Sequence, residues 1–146
     1  MRHDLIASKS IEINTENSKV WDVLTNPKFI GEYLYGTQTI TDWKIGSKIM
    51  FMGEFNGQKY CDMGVIKENV LHELLSYSFW SSFSGTENKP ENYSFITYNL
   101  VGIDSKKTKF IWTQKGHPDE ESCSHAESQI GGLIKNIKEI AEKQIL

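Results

Sequence analysis

The residues best suited to hold a metal ion lie together just before the C-terminal segment. His117 and His125 flank Asp119, Glu120 and Glu121, and imidazole and carboxylate groups are both common metal ligands. Eight residues turn a helix by about 80°, however, so the two imidazoles do not share one face. Carboxylates at the start of a helix also interact favourably with the helix dipole. We therefore interpret this cluster as the solvated acidic start of a helix and predict no metal site.

Three other side chains qualify as candidate catalytic groups. Cys61 stands beside Asp62, but no His neighbours it in the sequence, so a structural thiol is a simpler interpretation than an activated nucleophile. Glu54 and Glu68 fall on neighbouring predicted strands and could meet as an acid and a base, but exposed strand carboxylates are the commoner explanation. The chain contains no GxGxxG, GxSxG, HExxH or Walker motif. We predict no catalytic residues, no cofactor and no enzymatic activity; only coordinates could reveal a converging acid and base.

The composition excludes some partners. The 146 residues carry 16 Lys and Arg against 19 Asp and Glu, for a formal charge of −3, and the basic residues are scattered, so electrostatic binding of nucleic acid is not expected. The two cysteines, Cys61 and Cys123, form no CxxC pattern, and the N-terminal residues contain no apolar signal region. No apolar run approaches the roughly 20 residues that cross a bilayer. These features predict a cytoplasmic protein with free thiols.

Residues 118–146 read as one long amphipathic helix, around which the other elements must be arranged. At about 100° per residue, its apolar side chains fall in one arc that a helix would bury: Cys123, Ala126, Ile130, Leu133, Ile134, Ile137, Ile140, Ala141 and Ile145. The opposite side carries Ser124, Lys135, Asn136, Glu139, Glu142 and Lys143. Gly131 and Gly132 lie off the buried arc, where we expect them to soften the helix rather than to admit a neighbouring element.

The segments ahead of this helix predict a sheet. A first strand is expected from Leu5 to Ile13, followed by two short helices that Asn26-Pro27 separates, because Asn caps helices well and Pro suits the first helical position. Asn56-Gly57 is the strongest hairpin signal. Gly64, inside a strand, indicates a bulge or a close approach to the backbone. Turn residues divide this part of the chain into six further strands of an antiparallel meander, near 38–44, 48–55, 58–69, 73–81, 93–103 and 107–115.

Alternation along these strands places many aromatic side chains on one face of the sheet. The side chains that share the parity of a concave inner face are Ile49, Phe51, Phe55, Leu75, Tyr77, Phe79, Ile96, Tyr98, Leu100, Phe110 and Trp112. They either pack solidly against the terminal helix, as in most close-packed interiors, or line an apolar pocket with a few polar groups. Residues 1–146 contain no linker or internal repeat, so we predict one domain.

Several stretches of the chain carry a resemblance to a known family. In order, they are VWDVLTNP at 20–27, TDWKIGS at 41–47, DMGVI at 62–66, PENYS at 90–94 and TYNL at 97–100. Together they resemble the START-like (Bet v 1-like, or SRPBCC) proteins of the activator of Hsp90 ATPase homologue 1-like family, over nearly the whole chain. The terminal helix departs from the pattern at Ile130, where such proteins often carry Trp. A smaller side chain there implies either a wider hollow beneath the helix or a sheet aromatic such as Trp112 filling it.

The resemblance implies an α+β, helix-grip fold, in which a curved antiparallel β-sheet wraps around a long C-terminal α-helix and two short helices follow the first strand. It also implies a small-molecule binding module that holds a hydrophobic or amphipathic ligand, such as a lipid, between the sheet and the helix without covalent catalysis. The alternative is an activator of an Hsp90-type chaperone ATPase, or a stress-response co-chaperone, that acts through its surface.

The expected ligand cavity combines the inner-face aromatics with the helix. Its predicted residues are Tyr33, Phe51, Phe55, Tyr77, Phe79, Tyr98, Trp112, Ile130 and Ile134. The hydroxyls of Tyr33 and Tyr98 are the candidate polar contacts to the ligand. The loops at Thr37 to Thr39 and at Gly85 to Pro90 are expected to control access.

Overall fold

A computed structural model describes residues 1–143. The elements follow one another in the order β1 Arg2–Ile13, α1 Asn17–Thr25, α2 Pro27–Tyr33, β2 Gln38–Ile40, β3 Lys48–Phe55, β4 Gln58–Val70, β5 Leu74–Phe79, a 3-10 turn at Pro90–Asn92, β6 Ser94–Asp104, β7 Lys107–His117 and α3 Glu120–Lys143. The predicted end of the terminal helix at residue 146, and the predicted burial of Ile145, lie outside the described residues. The order of elements is the predicted one.

The seven strands form one antiparallel sheet in the order β1-β7-β6-β5-β4-β3-β2. The sheet is curved, and α3 lies against its concave side, which is the predicted helix-grip arrangement. Asn56 and Gly57 have φ of +51° and +81° and close the hairpin in which Phe55 pairs with Gln58. Two successive left-handed residues suit the right-handed twist of the flanking strands, so the predicted turn is confirmed.

Side-chain capping marks the starts of α2 and α3, whereas Glu16 before α1 makes no capping hydrogen bond. The Asn26 side chain accepts a hydrogen bond from the Lys28 N–H at 3.1 Å, and Pro27 occupies the first turn of α2, as predicted. Asp119 accepts a hydrogen bond from the Ser122 N–H at 2.7 Å at the start of α3. Each cap satisfies a backbone N–H that the helix itself leaves unpaired.

Gly64 lies where β4 passes very close to β5. A Cβ at this position would overlap the backbone carbonyl of Ser78, and the pairing of the two strands shifts register between Ile66 and Glu68. The close approach matches the prediction for a glycine inside a strand, whereas the bulge lies further along β4, between Ile66 and Glu68. The missing side chain therefore allows β4 and β5 to approach each other closely here.

The inner face of the sheet and one side of α3 form the core. The predicted inner-face residues of β3, β5, β6 and β7 are buried or half-buried, with one exception. The predicted place of Phe55 among the covered inner-face residues is wrong, because its side chain is 64% exposed. It has the parity of the inner face, but it is the last residue of β3 before the turn, so the hairpin end carries it past the elements that cover the other rings.

The C-terminal half of α3 is fastened to β1. Lys138 Nζ donates a hydrogen bond to the Glu12 carbonyl and forms an ion pair with Glu142, each at 2.7 Å. Glu142 in turn accepts a hydrogen bond from the Asn14 N–H at 2.8 Å. Glu142 is therefore half-buried, and its predicted place on the exposed side of the helix needs that correction. The buried residues of α3 include Ile130, Ile134, Ile137 and Ala141, as the helical wheel predicts.

Gly131 and Gly132 leave room for side chains. A Cβ at Gly131 would meet only the Lys9 side chain, at 3.9 Å, and one at Gly132 would meet nothing within 4 Å. The prediction that these glycines do not serve close packing is thus confirmed.

We expect the double variant Gly131→Ala with Gly132→Ala to raise the free energy of unfolding by about 1 to 2 kcal/mol, because each Gly costs about 1 kcal/mol of helix propensity relative to Ala. Chemical denaturation measures the gain. Stiffening the helix should also slow ligand exchange, which stopped-flow fluorescence follows. An unchanged unfolding midpoint together with an unchanged exchange rate would contradict this prediction.

Candidate functional site

A cavity of about 280 Å³ lies between the concave face of the sheet and α3. From the sheet, the rings of Phe51, Tyr77, Phe79 and Trp112 line it. From the helix, Ala126, Ile130 and Leu133 line it. Its walls are thus largely apolar and aromatic, as in most sites that bind small molecules.

The nine predicted cavity residues do not all reach this space. Phe51, Tyr77, Phe79, Trp112 and Ile130 line it. Tyr33, Tyr98 and Ile134 are buried but lie outside its lining. Phe55 lies at the exposed end of the β3–β4 hairpin. The predicted face of the sheet is therefore right for most of the set, whereas the depth and coverage of each side chain depend on packing.

The two tyrosines proposed as polar contacts have partners in the protein. Tyr98 and Tyr77 share a hydrogen bond between their hydroxyls at 2.7 Å, and the Tyr33 hydroxyl donates to the Leu24 carbonyl at 3.4 Å. Burial raises the pKa of all three hydroxyls, so they remain neutral. The Tyr98 ring also packs edge-on against Trp112, with centroids 4.8 Å apart. Tyr98 thus supports the cavity wall from behind.

Trp112 carries the unsatisfied donor of the cavity wall. Its side chain is 5% exposed, and its Nε1–H is buried with no hydrogen-bond partner within residues 1–143. Leaving a buried donor unpaired costs about 1 to 3 kcal/mol. The indole N–H is therefore a donor without an acceptor in the described part of the protein, on a side chain that lines the cavity.

Asp62 on β4 is a cavity residue that the sequence-based prediction missed. It pairs with Phe51 across the strands, and its side chain lines the same cavity. Asp62 Oδ1 accepts hydrogen bonds from the Ser82 N–H at 2.9 Å and the Ser82 hydroxyl at 3.2 Å. Burial raises the pKa of the Asp62 carboxyl, and hydrogen bonds from Ser82 and Ser81 oppose that shift. Strand parity could have found it, because Asp62 alternates in step with the buried Ile66.

The mouth of the cavity is built from residues of several loops and strands. Thr37 and Tyr60 join their hydroxyls at 2.6 Å, and both line the cavity together with Tyr35 and Phe83. Tyr35 is 81% exposed and Phe83 is 50% exposed. Thr37 belongs to the loop at Thr37 to Thr39, whose control of access stays a prediction. The Gly85 to Pro90 loop instead contributes Pro90 to a separate groove on the outer face of the sheet.

That outer groove has a volume of about 610 Å³. Its apolar part comes from Met50, Met63 and Phe95, with Lys48 and Lys67 beside them. These residues alternate with the buried ones along their strands, so the groove lies on the side of the sheet away from α3.

The groups weighed as catalytic or metal-binding do not converge. His117 is buried with its Nε2 2.9 Å from the Gln114 carbonyl oxygen, whereas His125 is exposed. Glu54 lies opposite Lys59 and Glu68 opposite Ser76, so the two carboxylates do not form an acid–base pair. Within residues 1–143, no three His, Cys, Asp or Glu side chains are placed to hold a metal ion.

Cys61 and Cys123 are both half-buried free thiols. Burial raises the pKa of the Cys123 thiol, and nearby Glu127 and Glu120 raise it further. A raised thiol pKa lowers the fraction of reactive thiolate. In the part of the chain that the structure describes, no helix is both long enough and apolar enough to span a membrane.

Comparison with known sequences identifies one family. The model of a family described as "Activator of Hsp90 ATPase homolog 1-like protein" matches residues 14–142. No curated protein matches the chain.

Solved structures show the same fold. The solution structure of ChR145 from Cytophaga hutchinsonii is similar to this chain with 33% sequence identity, a TM-score of 0.84 and 99% of each chain covered. PFC0360w, an Hsp90 activator from Plasmodium falciparum, has 15% identity and a TM-score of 0.74, over 93% of this chain and 95% of that one. The Aha1 dimer from Colwellia psychrerythraea has 15% identity and a TM-score of 0.72, over 94% of this chain and 96% of that one.

Proposed function

Since the chain belongs to the activator of Hsp90 ATPase homolog 1-like family, we propose that it binds one small apolar or amphipathic molecule in the cavity between its sheet and α3, without covalent chemistry. The observation that carries this proposal is the largely apolar and aromatic space of about 280 Å³ between the sheet and α3. The Trp112 side chain in its lining has an Nε1–H without a partner among the described residues, and we propose that an acceptor on the ligand pairs with it.

The ligand's size follows from the volume of the cavity. About 280 Å³ lies just below the usual range of roughly 300 to 1,000 Å³ for ligand sites, which favours a molecule of one or two rings, or one short chain, over a lipid with two long chains. Burial of its apolar surface would contribute about 25 cal/mol per Å². A hydrogen bond from the Trp112 Nε1–H to an acceptor on the ligand would fix the orientation of the ligand.

Replacing Trp112 with Phe tests this proposal. Two probes of similar shape, 2-acetylnaphthalene and 2-ethylnaphthalene, differ in whether they carry a carbonyl acceptor. We expect the native protein to bind the ketone about tenfold more tightly, because an unmade buried hydrogen bond costs about 1 to 3 kcal/mol, and Trp112→Phe to remove that preference. Isothermal titration calorimetry measures both affinities.

The matched control is Trp80→Phe. Trp80 is half-buried and donates through Nε1 to the Thr86 hydroxyl at 3.2 Å, away from the cavity lining, so its replacement should leave the ketone preference unchanged. If the native protein bound neither probe, cavity binding of such ligands would be refuted. Equal preferences in the native protein and Trp112→Phe would refute the role of the indole N–H.

The second candidate is a partner of an Hsp90-type chaperone that acts through its surface. It is supported by family membership and by the outer groove, which is lined by the half-buried Met50 and Met63 and the exposed Phe95. Methionine-rich surfaces adapt well to protein partners. An ATPase assay with an Hsp90-type chaperone tests it, using the cavity-filling variant described in the Discussion.

We also propose that residues 1–146 work as one domain and that the protein acts in the cytoplasm. The family match over residues 14–142 and the free thiols of Cys61 and Cys123 support these two proposals.

A further inference from the structure

We propose that the mouth of the cavity holds an organic ammonium group between the Asp62 carboxylate and the rings of Tyr60 and Phe83. The ligand would then be an amphiphilic amine, with its apolar part in the cavity and its cation at the mouth. This inference rests on the proposed function, because it assigns the chemical class of the ligand that the cavity takes.

Asp62 is the one charged side chain in the lining of the cavity, as far as residues 1–143 show. Its hydrogen bonds come from the neutral N–H and hydroxyl of Ser82, and no ion pair involves it among those residues. Partial burial disfavours the ionised form of a carboxyl group, and a neighbouring cation offsets that cost. The site therefore lacks the positive charge that would complement it.

Two aromatic rings stand beside this carboxylate. Tyr60 is two residues before Asp62 on β4 and so shares its face of the strand. Phe83 follows Ser82, which donates both hydrogen bonds to Asp62. The rings of Tyr60 and Phe83 are in contact, with centroids 5.5 Å apart. A cation next to Asp62 would therefore share the cavity lining with two aromatic rings, of the kind that attract organic ammonium groups.

The surroundings favour an organic cation over a metal ion. Hard metal ions need six or more oxygen ligands for Ca²⁺, or near-octahedral oxygen geometry for Mg²⁺. One carboxylate among apolar rings does not meet that need, and no metal-binding group of three acidic, His or Cys side chains occurs within residues 1–143. An alkylammonium needs one counter-charge and an apolar space for its chain, and both are present.

A purely structural role for Asp62 is the alternative, because its carboxylate also fixes the backbone at Ser82. Asp62→Asn separates the two roles. The Asn amide keeps an oxygen that can accept the Ser82 N–H, but it removes the negative charge. Asp104→Asn is the matched control, since Asp104 is an exposed carboxylate that likewise accepts a backbone N–H, from Lys106 at 2.8 Å.

The test measures the affinities of octylamine, 1-octanol and octanoate at neutral pH by calorimetry, for the native protein and each variant. We expect the native protein to bind octylamine at least about tenfold more tightly than octanol and to bind octanoate most weakly, since charge-assisted bonds are roughly twice as strong as neutral ones. Asp62→Asn should bring octylamine to within about twofold of octanol and leave octanol binding in place. Asp104→Asn should keep the native preference.

Phe83→Leu provides a second variant, which tests the inference even if the Asp62→Asn protein does not fold correctly. It should lower the preference for octylamine over octanol about threefold. If octanol binds but the preference for octylamine is absent, or survives in Asp62→Asn, the amine inference is overturned while cavity binding stands. If none of the three probes binds the native protein, both the inference and the proposed function fail.

Discussion

Replacing Gly64 with Ala is expected to lower the free energy of unfolding by about 3 kcal/mol. The added Cβ would overlap the backbone carbonyl of Ser78 on β5. A backbone group held in a strand cannot turn aside as the end of a flexible side chain can, so β4 and β5 must separate or lose their pairing.

Urea denaturation followed by circular dichroism measures this loss. Gly102→Ala is the matched control, because Gly102 also lies in a strand, β6, but a Cβ there would meet nothing within 4 Å. We expect its midpoint to change little. Equal unfolding midpoints for the two variants would show that β4 and β5 tolerate a side chain where they approach each other at Gly64.

Replacing Ile130 with Trp is expected to weaken ligand binding at least about thirtyfold. Ile130 is 3% exposed and lines the cavity from α3, so an indole at this position would project into a space of only about 280 Å³. The ligand would lose most of the apolar contact that stabilises its binding. Calorimetry with 2-acetylnaphthalene measures the loss.

Ile130→Val is the control, because it keeps the cavity open and should retain binding within about threefold. If Ile130→Trp bound the ketone as tightly as the native protein, the ligand would lie elsewhere. The same variant separates the two candidate functions: stimulation of an Hsp90-type ATPase that survives the filled cavity would favour a partner that binds the surface. If Ile130→Trp lost ATPase stimulation together with ligand binding, both activities would depend on the cavity.

Local signals predict most of the sheet and the helix ends. Asn26-Pro27 and Asn56-Gly57 act within their own turns, through one capping bond and two left-handed backbone angles, so a single sequence contains what they need. The close approach at Gly64 is also predictable, because a glycine inside a strand often marks a bulge, a bend or a close approach of the backbone. These features need no knowledge of distant contacts.

The candidate site is less predictable because it depends on coverage by other elements. Phe55 has the correct parity, yet nothing in its own strand says that the hairpin end extends beyond the covered part of the sheet. Tyr98 reaches a partner, Tyr77, on a neighbouring strand and so is not free for a ligand. Asp62 escapes notice because a carboxylate in a strand is usually exposed, whereas here it is half-buried and bonded to Ser82, which lies 20 residues away in the sequence.

Hydrogen bonds between α3 and the N-terminal strand also cover part of one edge of the sheet. β1 is an edge strand, and edge strands expose backbone N–H groups on which another chain can add a strand. Here the Glu127 side chain accepts a hydrogen bond from the Ser8 N–H at 3.3 Å, and Glu142 accepts the one from Asn14 just beyond the strand. The opposite edge is β2, which has only three residues. The helix that lines the cavity therefore also occupies two backbone N–H groups at the β1 edge that another chain could otherwise pair with.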